Sequence, residues 1–225
     1  MTSYRIGFLL WPNLTQLDMT GPVQVLHRMP GAELYYVWKT LDPVPSDCGL
    51  SLVPTATLAD CPRLDMICVP GGADCASVMR DTEVLDWLRA QAVEAKLITS
   101  VCTGSLILAA AGLLEGYRAG CYWASGESLA LFGATFVRER VVIDRNRITA
   151  GGVSSGIDFA FRIIEQLHGR DVAESVQLAV EYNPEPIGGG TPATARPEIL
   201  ARVSALMAKR VAARAAEIAE IAAAR

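Results

Sequence analysis

The regular alternation of short apolar runs with amphipathic helical patterns is the feature that most constrains this chain. Six runs predict strands: YRIGFLL (4–10), ELYYVWKT (33–40), DMICVP (65–70), KLITSVC (96–102), ERVVID (139–144) and RITAGG (147–152). Because these runs are largely apolar instead of alternating, both faces of their sheet must be covered. We therefore predict an α/β fold with a largely parallel sheet sandwiched between helices, its last strands forming a hairpin edge.

Helical patterns fill the gaps between these strands. Residues 23–29 follow a Gly-Pro pair, which marks a helix start, and residues 77–95 form one long amphipathic stretch. The remaining helical stretches cover residues 105–116, 127–133, 154–169 and 171–182.

The segment 183–197 breaks this alternation with four Pro and three consecutive Gly, which predicts a surface loop. The Gly run has no strand before it and no helix immediately after it, so it does not fit a phosphate-binding loop. The Ala-rich residues beyond it predict a terminal helix, packed either on its own domain or at a subunit interface. We therefore expect a single main domain over 1–190 and a helical extension over 191–225.

Composition excludes several classes of protein. The chain has 225 residues, 51% of them hydrophobic, with a formal net charge of −4. This length supports one large core, and the acidic balance argues against nucleic-acid binding, which normally requires a basic face. No apolar run reaches transmembrane length, and the N-terminus fits a first buried strand better than a signal peptide. We expect a cytoplasmic protein that acts on a small molecule and binds neither nucleic acid nor membrane.

The six cysteines form no CxxC pair, and only two His are present, so the chain offers few ligands for zinc. In a reducing compartment a free Cys is usually a small buried side chain. We predict that role for four of them, namely Cys48, Cys61, Cys68 and Cys75.

Cys102 stands apart because it ends a buried strand and precedes a buried helix, in the order SVCTG. Ligands of open parallel sheets bind at the carboxyl ends of the strands. Small residues two positions before and after the thiol have the spacing of a nucleophile elbow. The start of the next helix is predicted to lower the thiol pKa and to stabilise developing negative charge. The alternative is a buried structural thiol.

Two other strand ends carry polar or flexible groups. Pro70, Gly71 and Gly72 follow the third strand, where paired Gly let backbone amides approach a ligand closely, although an ordinary turn has the same composition. Asp18 follows the first strand, and its alternative role is a helix N-cap, for which Thr20 competes.

Taken together, these stretches resemble the PfpI/DJ superfamily of glutamine-amidotransferase-like folds, and within it the isocyanide hydratases. The matching stretches are IGFLLWPNLTQLDMTGP, LDMICVPGG, ITSVCTGSLILAAAGLLEG, RERVVIDRNRITAGG, GIDFAFRIIEQL and VQLAVEYNPEP. The resemblance implies a flavodoxin-like single domain and a homodimer. The peptidase branch of the superfamily places His directly after the Cys, where this chain has Thr103.

The resemblance also implies roles for individual residues. Cys102 matches the nucleophile, Asp18 the acid that manages its proton, and Thr103 the neighbour that completes the site. The backbone N–H groups of Gly72 and Thr103 would stabilise negative charge. Candidate pocket walls, for which plain core packing is the alternative, are Trp123, Tyr122 and Val153.

One departure concerns Tyr122, because related chains often carry His at that position. The two His of this chain, His27 and His168, are predicted at helix ends, so a Cys–His dyad is not expected. The resemblance then implies addition of water to an isocyanide, giving an N-formamide through a Cys102 thioimidate, with no metal or organic cofactor. The alternatives are a glyoxalase-like or other cysteine-dependent enzyme acting on a small carbonyl compound, and a thiol redox sensor.

Overall fold

The structure is a computed structural model, and it describes residues 3–224. Strands β1 to β11 span Tyr4–Leu9, Ala32–Trp38, Val44–Pro45, Ser51–Leu52, Ala56–Thr57, Met66–Val69, Leu97–Val101, Arg118–Ala119, Thr135–Phe136, Val141–Asp144 and Arg147–Ala150. Helices α1 to α7 span Gln16–Leu26, Cys75–Met79, Thr82–Ala92, Gly104–Ala110, Ser155–His168, Arg170–Ala179 and Pro197–Ala223, and a 3-10 helix spans Gly126–Phe132.

A seven-stranded sheet forms the centre of the molecule, in the order β10-β11-β7-β6-β1-β2-β5. Every neighbouring pair in it is parallel except the β10–β11 hairpin, which lies at one edge. The predicted parallel sheet with a hairpin at its end is therefore confirmed. The order brings the carboxyl ends of β1, β6, β7 and β11 side by side, where a ligand site is expected.

The apolar strand runs account for the burial of the central sheet. Every residue of β6 and β7 is buried, as expected for largely apolar strands covered on both faces. The two polar residues of β7, Thr99 and Ser100, form hydrogen bonds through their hydroxyls. Helices α1, α5 and α6 pack together as one group, and α2, α3 and α4 form another. Of the described residues, no helix combines the length and hydropathy needed to cross a bilayer.

The helix predicted over 105–116 ends at Ala110, and the one predicted over 127–133 is a 3-10 helix. Two further helix boundaries differ from the sequence prediction. Helix α1 begins at Gln16 instead of residue 23, so Pro22 lies inside it, where α1 packs against α5. This tertiary contact outweighs the helix-breaking signal of Pro. The stretch 77–95 is divided into α2 and α3, because the Asp81 side chain accepts a hydrogen bond from the Val84 N–H at 3.3 Å and caps α3.

The prediction for the structural cysteines is confirmed for Cys68 and Cys75, which are buried. Cys61 is only partly buried. The prediction is wrong for Cys48, which is exposed because it lies in the turn between β3 and β4.

The terminal helix α7 packs against α2 and against the 3-10 helix. Its side chains are mostly exposed, and its buried residues are Arg214 and Ile218. The stretch 183–196 between α6 and α7 is an exposed loop, as its Pro and Gly content predicts.

Candidate active site

The backbone of Cys102 forms the sharp turn predicted for a nucleophile elbow. Cys102 directly follows β7 and has φ +62°, in the left-handed region that non-glycine residues rarely adopt. Its N–H donates to the carbonyl oxygens of Ala150 and Gly151, at 3.0 and 2.8 Å, which holds the turn against the end of β11. Such strained positions cluster at functional sites.

Small residues around the elbow are required by the close approach of α4 to the sheet. A Cβ atom on Gly104 would lie 2.0 Å from the Val69 carbonyl oxygen at the end of β6. The Ser105 hydroxyl lies 2.8 Å from the Ser100 hydroxyl and donates to the Gly120 carbonyl at 2.6 Å. The SVCTGS sequence therefore fits a helix that begins in contact with the strand ends.

Asp18 lies in the first turn of α1, fully buried, with its side chain directed at the end of β6. Its Oδ2 accepts a hydrogen bond from the Gly71 N–H at 2.9 Å. A Cβ on Gly71 would lie 2.9 Å from that oxygen and 2.5 Å from the Thr103 nitrogen, so only Gly fits there. The N-cap alternative for Asp18 is wrong, because Thr15 occupies the N-cap position of α1.

Burial raises the pKa of Asp18 to about 7. The Gly71 N–H and the nearby Cys102 thiol favour the ionised form, but they do not offset the loss of hydration. The other carboxyl oxygen, Oδ1, has no hydrogen-bond partner among the described residues. The carboxyl can therefore hold or release a proton near neutral pH, and burial is the cause, not a neighbouring thiolate.

The Cys102 thiol does not have the lowered pKa that the sequence predicted. Burial raises its pKa well above the ordinary value, and the charges of Asp18 and Cys121 raise it further. The hydrogen bond from the Thr103 N–H lowers the pKa of the thiol, but by less than burial raises it. The prediction is wrong in sign because loss of hydration outweighs the field of a short helix, so the thiol is protonated at neutral pH.

Only one of the two predicted backbone donors faces the thiol. The Thr103 hydroxyl donates to the Gly72 carbonyl at 2.8 Å and accepts from the Gly72 N–H at 2.9 Å. The Gly72 N–H is thus already paired, and its predicted role as a free donor is wrong. The Thr103 N–H does interact with the Cys102 sulfur.

The three candidate pocket residues are all partly buried. Tyr122 and Trp123 lie in the segment after β8, and Val153 lies in the segment after β11. Tyr122 donates to the Met207 sulfur at 3.4 Å, and its ring centroid lies 5.8 Å from that of Trp123. Trp123 lines a cavity of about 340 Å³ that lies between the segment after β8 and helix α7. Neither Cys102 nor Asp18 lines that cavity, so it adjoins the site without containing the thiol.

The two His lie at helix ends, as predicted: His27 follows α1, and His168 ends α5. Sequence reasoning missed Cys121 and Arg214, which are buried near the site. For Arg214, the sequence did contain a signal: it is three residues after Val211 and four before Ile218, which places it on the apolar face of α7. Within residues 3–224 no group of three or more His, Cys, Asp or Glu is arranged to hold a metal ion.

Comparison with known proteins identifies the family. The model of the DJ-1/PfpI family matches residues 4–166, most of the sheet and the whole elbow. The chain belongs to the DJ-1/PfpI family. Family membership confirms the predicted flavodoxin-like architecture.

Individual proteins are similar to this one over most of the chain. Isonitrile hydratase from Pseudomonas putida is 52% identical over 192 residues, which cover 85% of this chain and 84% of the relative. A THiJ/PfpI family protein from Pseudomonas syringae has a crystal structure that superposes with a TM-score of 0.93 at 41% identity, covering 99% of this chain and 91% of that one. The HTH-type transcriptional regulator GbdR from Pseudomonas aeruginosa is 35% identical, and this chain covers half of its length.

Proposed function

We propose that this protein is an isocyanide hydratase, a lyase that adds water to an isocyanide to give an N-formamide. The observation that carries the proposal is the pairing of the Cys102 elbow with Asp18, a buried carboxyl whose pKa is about 7. The relative named isonitrile hydratase, which is 52% identical, supports the same activity, since isonitrile is a synonym of isocyanide.

In the first step the thiol adds across the terminal carbon of the isocyanide. Because the thiol is protonated at rest, the ionised Asp18 carboxylate accepts its proton as the Cys102 sulfur attacks. The protonated Asp18 then delivers that proton to the same carbon. A carbon–sulfur and a carbon–hydrogen bond form, and the product is a thioimidate with no leaving group released.

In the second step water adds to the thioimidate carbon, and a proton moves to the nitrogen. The tetrahedral adduct collapses to the N-formamide as the carbon–sulfur bond breaks, and the sulfur recovers its proton through Asp18. The Thr103 N–H, directed at the sulfur, stabilises negative charge on it while this bond forms and breaks. Tyr122, Trp123 and Val153 form the apolar side of the pocket in this proposal.

The alternative activities fit the site less well. A redox sensor needs an accessible thiolate, whereas this thiol is buried and its pKa is raised. A glyoxalase-like enzyme of the superfamily would normally carry Glu in place of Asp18 and an imidazole nearby, whereas both His of this chain lie at helix ends.

A direct test measures formamide formation from cyclohexyl isocyanide and loss of methylglyoxal in parallel, with the same wild-type sample. The proposal expects N-cyclohexylformamide in proportion to enzyme and no methylglyoxal turnover above background. Methylglyoxal consumption without formamide would establish the glyoxalase alternative. Absence of both activities would overturn the proposal and leave the sensor alternative.

A further inference from the structure

Arg214 is a buried cation on α7 with an incomplete set of hydrogen bonds. It is only 7% exposed, and its Nε has no partner among the described residues. Its Nη1 makes one long contact, 3.5 Å, with the carbonyl oxygen of Ala73. Buried guanidinium groups are normally fully paired, because an unpaired one loses its hydration without compensation.

No carboxylate within residues 3–224 forms an ion pair with this guanidinium. The acidic residues nearest to it on the same helix, Glu217 and Glu220, pair with Arg80 instead, at 3.8 and 3.2 Å. A buried positive charge without a counter-charge is destabilising unless a ligand supplies the anion. The resting structure therefore retains a cationic group that can accept an anion.

The guanidinium contacts the segment that follows β6, next to the hydrogen bonds between Gly72 and Thr103. Ala73, which it contacts, follows Gly72, the residue whose N–H and carbonyl both bond to the Thr103 hydroxyl. Burial raises the pKa of Cys75 to about 11, and the charge of Arg214 opposes that rise. Burial also raises the pKa of Cys121 and of Tyr122, and the charge of Arg214 opposes both rises. Each of these two side chains interacts electrostatically with Cys102 as well. Cys121 and Tyr122 are therefore near both Arg214 and the reactive thiol.

We propose that Arg214 binds an anionic group of the substrate, so that the preferred substrates are small isocyanides that carry a carboxylate. This inference rests on the proposed hydratase function. The isocyanide carbon would lie at Cys102 and the carboxylate at Arg214, where the planar fork offers the free Nε donor beside an Nη donor. Arg214 is a specificity-determining residue in this arrangement and takes no part in proton transfer.

The test compares isocyanoacetate with its neutral methyl ester, using the wild type, Arg214→Gln and Arg214→Lys. Arg202→Gln is the matched control, because Arg202 is an exposed cation on the same helix. Arg214→Gln should lower kcat/KM for isocyanoacetate by about tenfold or more while the ester keeps its rate. Arg214→Lys should retain part of the preference for isocyanoacetate, and Arg202→Gln should retain all of it. Equal losses for both substrates, or no loss for either, would overturn the proposal.

A binding measurement separates failure of this proposal from failure of the hydratase function. If the wild type hydrates neither compound, the hydratase proposal fails, and the anion site is then tested with the products alone. Calorimetric titration with N-formylglycine and with neutral N-formylglycinamide should show preferential binding of the anion, lost in Arg214→Gln. Equal binding of the two compounds, or a preference that persists in Arg214→Gln, would overturn the assignment of Arg214.

Discussion

The Asp18 carboxyl is removed from water by α1 and by the ends of β6 and β7, and this burial sets its proton affinity. In the folded protein its pKa is about 7, whereas the ordinary value is 3.8. Between these values the folded state binds more protons than the unfolded state, so raising the pH lowers the free energy of unfolding. Above pH 7 the loss is complete and constant.

Replacing Asp18 with Asn keeps the acceptor for the Gly71 N–H but removes this titration. Asp18→Asn should be more stable than the wild type at pH 8, by up to about 4 kcal/mol, with the difference vanishing near pH 4. Chemical denaturation at both pH values measures it, with exposed Asp171→Asn as the control. A variant whose stability follows that of the wild type across this range would show that burial does not raise the pKa of Asp18.

The same carboxyl should control the pH dependence of catalysis. Asp18 must be ionised to accept the thiol proton, so kcat/KM should fall about tenfold per pH unit below pH 7. In Asp18→Asn this dependence should disappear and turnover should be severely reduced. Alkylation of Cys102 should still proceed in that variant, because removal of the Asp18 charge makes the thiol easier to ionise. A flat wild-type profile between pH 5.5 and 7 would contradict the role of Asp18 as the base.

The sequence indicated Cys102 and Asp18 because each follows a predicted strand, whereas Thr103 was assigned through the resemblance to the superfamily. It did not predict the raised pKa of the thiol, since the degree of burial is decided by helices distant in sequence. Arg214 was missed for a related reason. Its spacing places it on an apolar helix face, but its position near the thiol arises only when α7 packs on the domain.

At the scale of elements, the site depends on the contact between the start of α4 and the end of β6. A Cβ on Gly104 would collide with a backbone oxygen that belongs to the sheet and cannot rotate away. Gly104→Ala should therefore lower the free energy of unfolding by at least about 2 kcal/mol. Gly188→Ala, in the exposed loop with no atom within 4 Å of an added Cβ, is the control and should have little effect. A Gly104→Ala protein as stable as that control would contradict the close packing described above.

The six predicted strands agree with β1, β2, β6, β7, β10 and β11 within two residues at each end, because apolar runs bounded by turn residues define them well. The other five strands have two residues each, too few to give a periodic pattern, and were not predicted. The helices were less predictable where packing competes with local signals. Pro22 marked a start by sequence, yet α1 continues through it because its face is buried against α5. The break between α2 and α3 depends on the cap at Asp81, which amphipathic periodicity does not reveal.

At the scale of the whole molecule, the described chain is one body with an exposed terminal helix. The large apolar side chain of Leu206 is 78% exposed on α7, and Ile199 and Val203 are each 37% exposed. A second copy of the chain would bury such a surface. We expect light scattering at micromolar concentration to report twice the chain mass of 24.1 kDa. A mass of one chain under those conditions would refute the dimer.

The central claim is that the Cys102 sulfur forms the covalent bond to the isocyanide carbon, and the rate of formamide production by Cys102→Ser tests it most directly. The oxygen is a much weaker nucleophile in a site that lacks an imidazole base, while the change in buried volume is small. Formamide production should fall by at least about a thousandfold, with a melting temperature close to that of the wild type. A well-folded Cys102→Ser protein that still produces formamide at a rate near the wild type would contradict covalent catalysis at this elbow.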